Sequence, residues 1–209
     1  MKLPGKTIER LSQYRRILLN CLNTGKTHIY SHELAEILGL TAVQVRRDIM
    51  LMGYSTSQKK GYDIQELISV IGSILDTRRG QNVAVVGVGN LGRAITGYFM
   101  GKRSRLNIVA TFDTDPSKVN RVIAGVNCYP VQQLAELIKN LNISIAILTV
   151  PPDHAAGVAE SLVISGIKGI LNFTSVPLNI SSHVYLEEYD MITSIEKVAY
   201  FVKKNTSVL

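Results

Sequence analysis

The sequence predicts an α/β protein in which a winged helix-turn-helix domain, residues 1–80, precedes a Rossmann-like domain with a doubly wound parallel sheet, residues 81–209. A Gly-x-Gly-x-x-Gly turn at residues 87–92 follows a short apolar strand and opens a helix, as in dinucleotide-binding folds. Strands and helices alternate after this turn, which indicates a parallel sheet with helical crossovers. The segment before the turn is helix-rich and basic, so two domains with different tasks are expected.

The N-terminal domain is predicted from helical spacing, caps and stops. In chain order, we expect a helix over 7–23, a short helix capped by Ser31 and stopped by Gly39, a helix that begins at Thr41, a hairpin wing over 54–62 and an amphipathic helix over 64–77. Gln44, three residues after Thr41, completes a capping box. Ile37 and Val43 are expected to face inward on the second and third helices, which form the helix-turn-helix.

Alternating elements are predicted throughout the second domain. Strands are expected at 82–86, 107–112, 126–129, 143–149, 167–172 and 183–186, and helices at 91–100, 131–140, 153–165 and 190–204. The last helix carries apolar residues along one side, including Ile192, Ile195 and Val198, and that side must be buried against something.

The net charge of +7 is concentrated ahead of the glycine turn. Residues 1–80 contain twelve Lys and Arg against seven Asp and Glu, whereas residues 81–209 contain eleven against nine. A basic N-terminal domain favours a polyanionic partner, although surplus lysines also serve solubility alone.

Other features of the composition exclude several classes of protein. Cys21 and Cys128 lie far apart without metal-ligand spacing, which favours two reduced thiols and no metal site. No apolar run approaches the roughly 18 residues that a membrane helix needs, and the N-terminus lacks the apolar core of a signal peptide. We therefore expect a cytoplasmic protein that does not bind a membrane.

The glycine turn and an aspartate after the next strand form the candidate nucleotide site. Gly87 allows the tight turn, Gly89 lets backbone amides approach a pyrophosphate, and Gly92 lets helix and strand pack closely. Asp113 follows Gly92 by 21 residues. A carboxylate at this position accepts hydrogen bonds from both ribose hydroxyls of an adenosine and repels a 2′-phosphate. The sequence therefore predicts NADH and NAD⁺, rather than NADP(H), as the ligands of this site. The candidate contacts are Gly87, Val88, Gly89, Asn90, Leu91, Gly92, Asp113, Thr149, Val150 and Pro151.

Alternatives stay open for this site. The turn could bind nothing, or it could bind coenzyme A in a related fold, and 149–151 could be a plain strand-to-helix turn. We find no His/Asp or Lys/Tyr arrangement suited to acid–base catalysis near a nicotinamide, so an enzyme is not expected. The rival interpretation is a small NAD-dependent oxidoreductase with an N-terminal oligomerisation domain.

The third helix supplies the candidate DNA contacts. Arg46 and Arg47 project from its middle, where arginine reaches guanine O6 and N7 in the major groove. Gln44 could read adenine, although its capping role explains it equally well. Lys59 and Lys60 at the tip of the wing would meet phosphate or the minor groove. Each of these residues alone is commonly a solvated surface group, but together on a winged helix-turn-helix they favour DNA binding.

These residues resemble the Rex family of redox-sensing transcriptional repressors across nearly the whole chain. The similar stretches are Arg10-Leu11…Tyr14…Arg16, Gln44-Val45-Arg46-Arg47-Asp48, Gly87-Val88-Gly89-Asn90-Leu91-Gly92-Arg93-Ala94, Phe112-Asp113-Thr114-Asp115-Pro116, Gly166-Ile167-Lys168-Gly169-Ile170-Leu171-Asn172-Phe173 and the final helix. The resemblance implies a homodimer with winged-helix heads, NAD(H)-binding bodies and a C-terminal helix, about 190–204, swapped between subunits. It also implies that NADH releases the protein from operator DNA and that NAD⁺ competes with NADH.

By the same resemblance, Arg16, Tyr98 and Asp190 form a polar network that responds to the nicotinamide state. The alternatives are a solvated charge at Arg16, a core aromatic at Tyr98 and a helix N-cap at Asp190. The wing departs from the family pattern, because Gln58 stands where an arginine is common, and Lys59 or Lys60 is then the candidate for that contact.

Overall fold

The computed structural model describes residues 3–55, 60–99 and 105–206 and divides the chain into two compact units, Met1–Arg78 and Arg79–Leu209. Each unit has its own hydrophobic core. No helix in the described part of the chain is both long and apolar enough to cross a membrane.

The first unit is a helical domain with one small antiparallel ribbon. Its elements are α1 (Gly5–Asn23), β1 (His28–Ile29), α2 (Ser31–Leu38), α3 (Ala42–Leu51), β2 (Tyr62–Asp63) and α4 (Ile64–Leu75). The apolar sides of α1 and α4 pack together, with Leu11, Leu18, Leu67 and Ile71 fully buried. Gly39 ends α2 in the left-handed conformation, with a φ of 63°, and the next residues lead into α3.

Several local expectations for this unit are wrong. The N-cap of α2 is Tyr30, whose backbone N–H donates to Glu33 Oε2, and Ser31 is the first helical residue. Ile37 and Val43 are 58% and 66% exposed. Each lies two positions from an inward residue, Ala35 or Val45, and two positions turn a helix by about 200°.

The predicted wing over 54–62 is described only at its two ends. Among the described residues, β2 pairs with β1, as His28 opposes Asp63 and Ile29 opposes Tyr62. Residues 56–59, which include Lys59, lie outside the described residues. The partner strand precedes the helix-turn-helix, so the sequence between 54 and 62 contains no sign of it.

The second unit is a seven-stranded sheet with helices on both faces. Its elements are β3 (Gln81–Val86), α5 (Asn90–Phe99), β4 (Leu106–Asp113), β5 (Val122–Ile123), β6 (Val126–Pro130), a 3₁₀ turn (Val131–Gln133), α6 (Leu134–Asn140), β7 (Ile143–Leu148), α7 (Pro152–Ile164), β8 (Gly169–Asn172), β9 (Tyr185–Glu188) and α8 (Met191–Thr206). The strand order is β5-β6-β4-β3-β7-β8-β9, and every neighbouring pair is parallel except β5 with β6.

The residues of β3 explain why both faces are covered. Ala84 and Val86 point into one core with Phe112 and Leu148, whereas Val83 and Val85 point to the opposite face. The chain runs outward from β3 through β4 and β6 and then returns to β7 on the other side of β3. This reversal opens a crevice at the carboxyl ends of β3 and β7, where ligands of such sheets bind.

The final helix is exposed along its described side chains. Every described side chain of α8 from 191 to 203 is exposed, and Ile192, Ile195 and Val198 are 59%, 68% and 64% exposed. A contiguous apolar stripe of this kind is unusual on a monomer and indicates an interaction surface.

Candidate functional site

A cleft of about 890 Å³ opens at this reversal point, within the usual range for small-molecule sites. It is bounded by the ends of β3, β4 and β7 and by the first turns of α5 and α7. The predicted contacts that line it are Gly87, Gly89, Asn90, Leu91, Asp113, Thr149, Val150 and Pro151. Further lining comes from Thr114, Asp115, Lys118, Val131, Asp153, His154, Gly157, Val158 and Ser161.

The three glycines of the turn have different surroundings. Gly87 has a φ of 91°, and a Cβ atom there would lie 2.7 Å from the carbonyl oxygen of Thr149. A Cβ atom at Gly92 would overlap the carbonyl oxygen of Gly87 and lie 2.8 Å from Thr149 Oγ1. By contrast, a Cβ atom at Gly89 would have no neighbour within 4 Å. Gly87 and Gly92 therefore serve close packing, whereas Gly89 leaves open space in which a ligand can approach the backbone.

Thr149 connects the turn to the neighbouring strand. Its hydroxyl donates a hydrogen bond to the carbonyl oxygen of Gly87 at 2.7 Å, and its backbone N–H donates to the carbonyl of Val86 at 2.9 Å. Val88 lies beneath the cleft, with its side chain buried against Ile123 and Cys128. Thr149 thus fixes the turn, whereas Val88 does not line the cleft and donates its backbone N–H to Asp113 Oδ2.

Asp113 is positioned to accept hydrogen bonds in the cleft. It is 9% exposed at the end of β4, and it accepts hydrogen bonds from the backbone N–H groups of Val88 and Asp115 at 2.8 and 2.9 Å. Burial alone would raise the pKa of this carboxyl, but those hydrogen bonds and the contact from Lys118 hold the pKa below its usual value. Asp113 is therefore an ionised acceptor, as recognition of ribose hydroxyls requires.

Lys118 is a lining residue that the sequence did not indicate. Its Nζ lies 3.2 Å from Asp113 Oδ2 and 3.4 Å from Asp115 Oδ2. Because the spacing of these three residues is common in loops, only the fold shows that they meet. Lys118 partly neutralises the two carboxylates at the mouth of the cleft.

The candidate DNA contacts differ in how they are held on α3. Arg46 and Arg47 are exposed, and Arg46 Nη1 donates to Ser31 Oγ at 3.2 Å. Gln44 is half-buried; its backbone N–H donates to the capping Thr41 Oγ1, whereas its side-chain amide donates to Asp48 Oδ1. The capping box is therefore half formed, because the Gln44 side chain does not return to Thr41. Lys60 is exposed beside β2.

Asp48 is the centre of a buried polar cluster that sequence reasoning missed. Its side chain is fully buried and accepts hydrogen bonds from Arg10, Tyr14 and Gln44. Burial would raise the pKa of Asp48, but the hydrogen bonds from Arg10 and then Tyr14 hold the pKa below its usual value. Burial and the bond to Asp48 raise the pKa of Tyr14. An ionised Asp48 therefore ties α3 to α1.

Each of the three residues of the expected allosteric network is described within its own unit. Arg16 is exposed on α1, and Tyr98 is 63% exposed on α5 with its ring edge-on to Phe99. Asp190 caps α8: it accepts from Ile192 N–H at 2.8 Å and from Thr193 Oγ1 at 2.6 Å. The hydrogen bond from Thr193, followed by that from Ile192, lowers the pKa of Asp190. The described residues contain no group of His, Cys, Asp and Glu side chains that could hold a metal ion.

Comparisons with known proteins match both units. A family model described as a CoA binding domain matches residues 78–176, and one described as "Putative DNA-binding protein N-terminus" matches residues 2–49. The chain is 36% identical over 202 residues to the redox-sensing transcriptional repressor Rex of Exiguobacterium sibiricum, an alignment that covers 97% of this chain and 92% of that protein.

Solved structures of a Rex-family repressor named RSP are also similar to the chain. RSP in complex with β-NAD⁺ and operator DNA aligns with a TM-score of 0.90 at 32% identity, covering 100% of this chain and 96% of that chain. RSP in complex with β-NADH aligns with a TM-score of 0.86 at 31% identity, covering 100% and 98%. These similarities confirm the fold class and the family resemblance that the sequence indicated.

Proposed function

The chain belongs to the Rex family of redox-sensing transcriptional repressors, and from this premise we propose that it binds operator DNA and is released when NADH binds. NAD⁺ competes for the same cleft without releasing the DNA. One observation carries the proposal: the chain aligns over its full length with a repressor solved both with NAD⁺ and operator DNA and with NADH. Because operator DNA is the proposed partner, the protein is proposed to act in the cytoplasm.

The cleft in the second unit is the proposed NAD(H) site. The open space at Gly89 and the helix start at Asn90 suit a pyrophosphate, because unpaired amides at a helix start bind phosphate. The ionised Asp113 suits the two adenosine ribose hydroxyls and disfavours a 2′-phosphate. The remaining proposed contacts are Val88, Leu91, Thr149, Val150 and Pro151, with Gly87 and Gly92 holding the turn.

In this proposal the cofactor is a signal and not a reactant, so the protein is not an enzyme. When bound, NADH supplies a reduced nicotinamide that differs from NAD⁺ in charge and ring shape. The two proteins identified above as similar are named as repressors. An oxidoreductase with an N-terminal oligomerisation domain would instead turn NADH over with a small carbonyl substrate at a steady rate.

The protein surface that binds DNA is proposed to combine contacts to base edges with contacts to the DNA backbone. Arg47 and Gln44 on α3 are proposed to read base edges in the major groove. Arg46 is proposed to contact DNA from a position fixed by Ser31 at the start of α2. Lys60 and Lys59, the latter outside the described residues, are proposed to contact phosphate groups or the minor groove of the DNA.

The active molecule is proposed to be a homodimer joined through α8. The exposed apolar stripe at Ile192, Ile195 and Val198 needs a partner, and a second copy of the chain offers the same stripe and a symmetric operator site. Arg16, Tyr98 and Asp190 are proposed to form their network in this dimer, where residues from two copies can meet.

A binding assay with and without reduced cofactor tests the function. Duplex DNA with randomised palindromic half-sites is selected by the protein, and the selected sequence is then titrated in the presence of NADH, NAD⁺ or coenzyme A. We expect NADH alone to release the DNA. Release by coenzyme A but not NADH would point to another sensed ligand, and an NADH-insensitive complex would refute the proposal.

A further inference from the structure

The carboxylate of Asp48 is fully occupied by hydrogen bonds inside the first unit. Its Oδ2 accepts from Arg10 Nε at 2.6 Å and Tyr14 Oη at 2.8 Å, and its Oδ1 accepts from Arg10 Nη2 at 2.7 Å and Gln44 Nε2 at 3.0 Å. A carboxylate has about four lone-pair positions, so each acceptor position here has a donor. No protein group other than these donors is needed to satisfy the buried charge.

The bond to Gln44 is not required to join the helices. Arg10 and Tyr14 already connect α1 to α3 through Asp48, whereas Gln44 lies on α3 itself, one turn before Asp48. A buried ion pair also adds little net stability compared with well-packed apolar residues. We therefore expect the role of this contact to lie at the surface of α3, whose first turn is proposed to meet base edges.

A carboxylate fixes which end of an amide faces it. Ionised Asp48 can only accept hydrogen bonds, so Gln44 must turn its NH₂ group towards Asp48 and its carbonyl oxygen away. A glutamine without such a neighbour can present either end, because its terminal torsion is broad and roughly two-fold. The buried charge thus selects one of two orientations of the half-buried Gln44 side chain, which is proposed to read DNA.

We propose that Asp48 is a positioning residue for sequence reading: it holds the Gln44 amide so that one carbonyl oxygen and one remaining N–H face the DNA. Adenine offers a matching N6–H donor and N7 acceptor in the major groove, whereas guanine offers two acceptors there. Asp48 therefore sets a preference for adenine at one position of each half-site. This inference rests on the proposed DNA-binding function.

Base analogues test the orientation of Gln44 without altering Asp48. The duplex selected by the wild-type protein is resynthesised with 7-deazaadenine, which lacks N7, or purine, which lacks the 6-amino group, at each adenine in turn. At one position per half-site, either analogue is expected to weaken wild-type binding by roughly tenfold. Gln44→Met, which has similar length but no amide, is expected to be insensitive to both analogues at that position.

Two further variants separate positioning from structural support. Asp48→Asn allows either end of the Gln44 amide to face position 48. The affinities for sites with adenine and with guanine at that position are then expected to differ by no more than about threefold. Tyr14→Phe removes another hydrogen bond to Asp48 but leaves the bond to Gln44, so it should keep the full preference. In the Gln44→Met background, Asp48→Asn should not change the preference at all.

The outcomes distinguish a failure of the role of Asp48 from a failure of the proposed DNA-binding function. Equal loss of affinity in Asp48→Asn and Tyr14→Phe, with the adenine preference intact in both, would make Asp48 purely structural and overturn the inference. If Asp48→Asn does not fold, the analogues decide: indifference of the wild-type protein to both analogues at every adenine also overturns it. A wild-type protein that selects no sequence would refute DNA-sequence recognition itself.

Discussion

One added methyl group is expected to have opposite consequences at two glycines of the same turn. At Gly92 a Cβ atom would overlap the Gly87 carbonyl oxygen and lie 2.8 Å from Thr149 Oγ1, whereas at Gly89 it would meet nothing within 4 Å. Neither glycine has a positive φ, so alanine adds no backbone strain at either position. We therefore expect Gly92→Ala to destabilise the fold and Gly89→Ala to impair cofactor binding alone.

The sizes of the two effects follow from what surrounds each methyl group. The nearest obstacle at Gly92 is the backbone carbonyl of Gly87, which cannot rotate away, and the Thr149 hydroxyl is hydrogen-bonded to it. Overpacking of this kind costs about 3 kcal/mol at the upper end of its usual range, which lowers Tm by roughly 6–12 °C in a chain of this length. Gly89→Ala should change Tm little but weaken NADH binding at least tenfold, or about 1.4 kcal/mol, because the methyl occupies the pyrophosphate approach.

The assay combines thermal unfolding by circular dichroism with a fluorescence titration of NADH. The chain contains no Trp, so the emission of bound NADH is measured without energy transfer from that residue. Gly5→Ala is the matched control, because a methyl there also meets nothing within 4 Å and lies outside the cleft. The reasoning is refuted if Gly92→Ala melts with the wild-type protein, or if Gly89→Ala binds NADH as tightly as Gly5→Ala.

Four other changes test separate parts of the molecule. Asp113→Ala should weaken NADH binding by about 1.5–3 kcal/mol in calorimetry, because charged hydrogen bonds to the ribose are lost; unchanged affinity would place the ribose elsewhere. Arg46→Ala should cost about 1–3 kcal/mol of operator binding, and a uniform loss across sequences with a lower salt slope would assign Arg46 to phosphate. Ile195→Glu should convert a dimer to a monomer in sedimentation, and a stable dimer would exclude the α8 stripe as the interface. Burial and then the hydrogen bond to Glu66 raise the pKa of Tyr54 from 10.0 to about 12. Protonated Tyr54 therefore stabilises the fold fully below pH 10, and this contribution is lost as the pH rises to 12. Tyr54→Phe should accordingly make the loss of stability with rising pH less steep in alkaline unfolding.

The sheet could be predicted from sequence because its strands are buried on both faces. Such strands appear as continuous apolar runs, and β3, β4 and β7 lie within two residues of their predicted bounds. The two-residue strands β1 and β5 were missed, since two residues give no periodic signal. Val43 and Ile37 were placed on the wrong side because a short helix with many apolar residues does not define one face by spacing alone.

The candidate site was predictable only where its residues are neighbours along the chain. The glycines share one turn, and Asp113 follows at a spacing that the next strand imposes. Asp48 meets Arg10 and Tyr14 across 38 and 34 residues, and no local pattern connects them. A charged residue in the middle of a helix is usually solvated, so only the packing of α1 against α3 could reveal that Asp48 is buried.

The two units must communicate for NADH to control DNA binding, and the required energy is small. A hundredfold loss of operator affinity corresponds to about 2.7 kcal/mol of differential binding, an ordinary allosteric coupling. Each unit has its own core, so the coupling does not require either core to rearrange. A subunit interface through the exposed stripe of α8 is a candidate source of this coupling energy. Asp190 caps α8 just after β9, at the carboxyl edge of the sheet where the cleft also lies. Linkage then requires operator DNA to weaken NADH binding by the same hundredfold, and equal NADH affinity with and without operator would exclude this coupling.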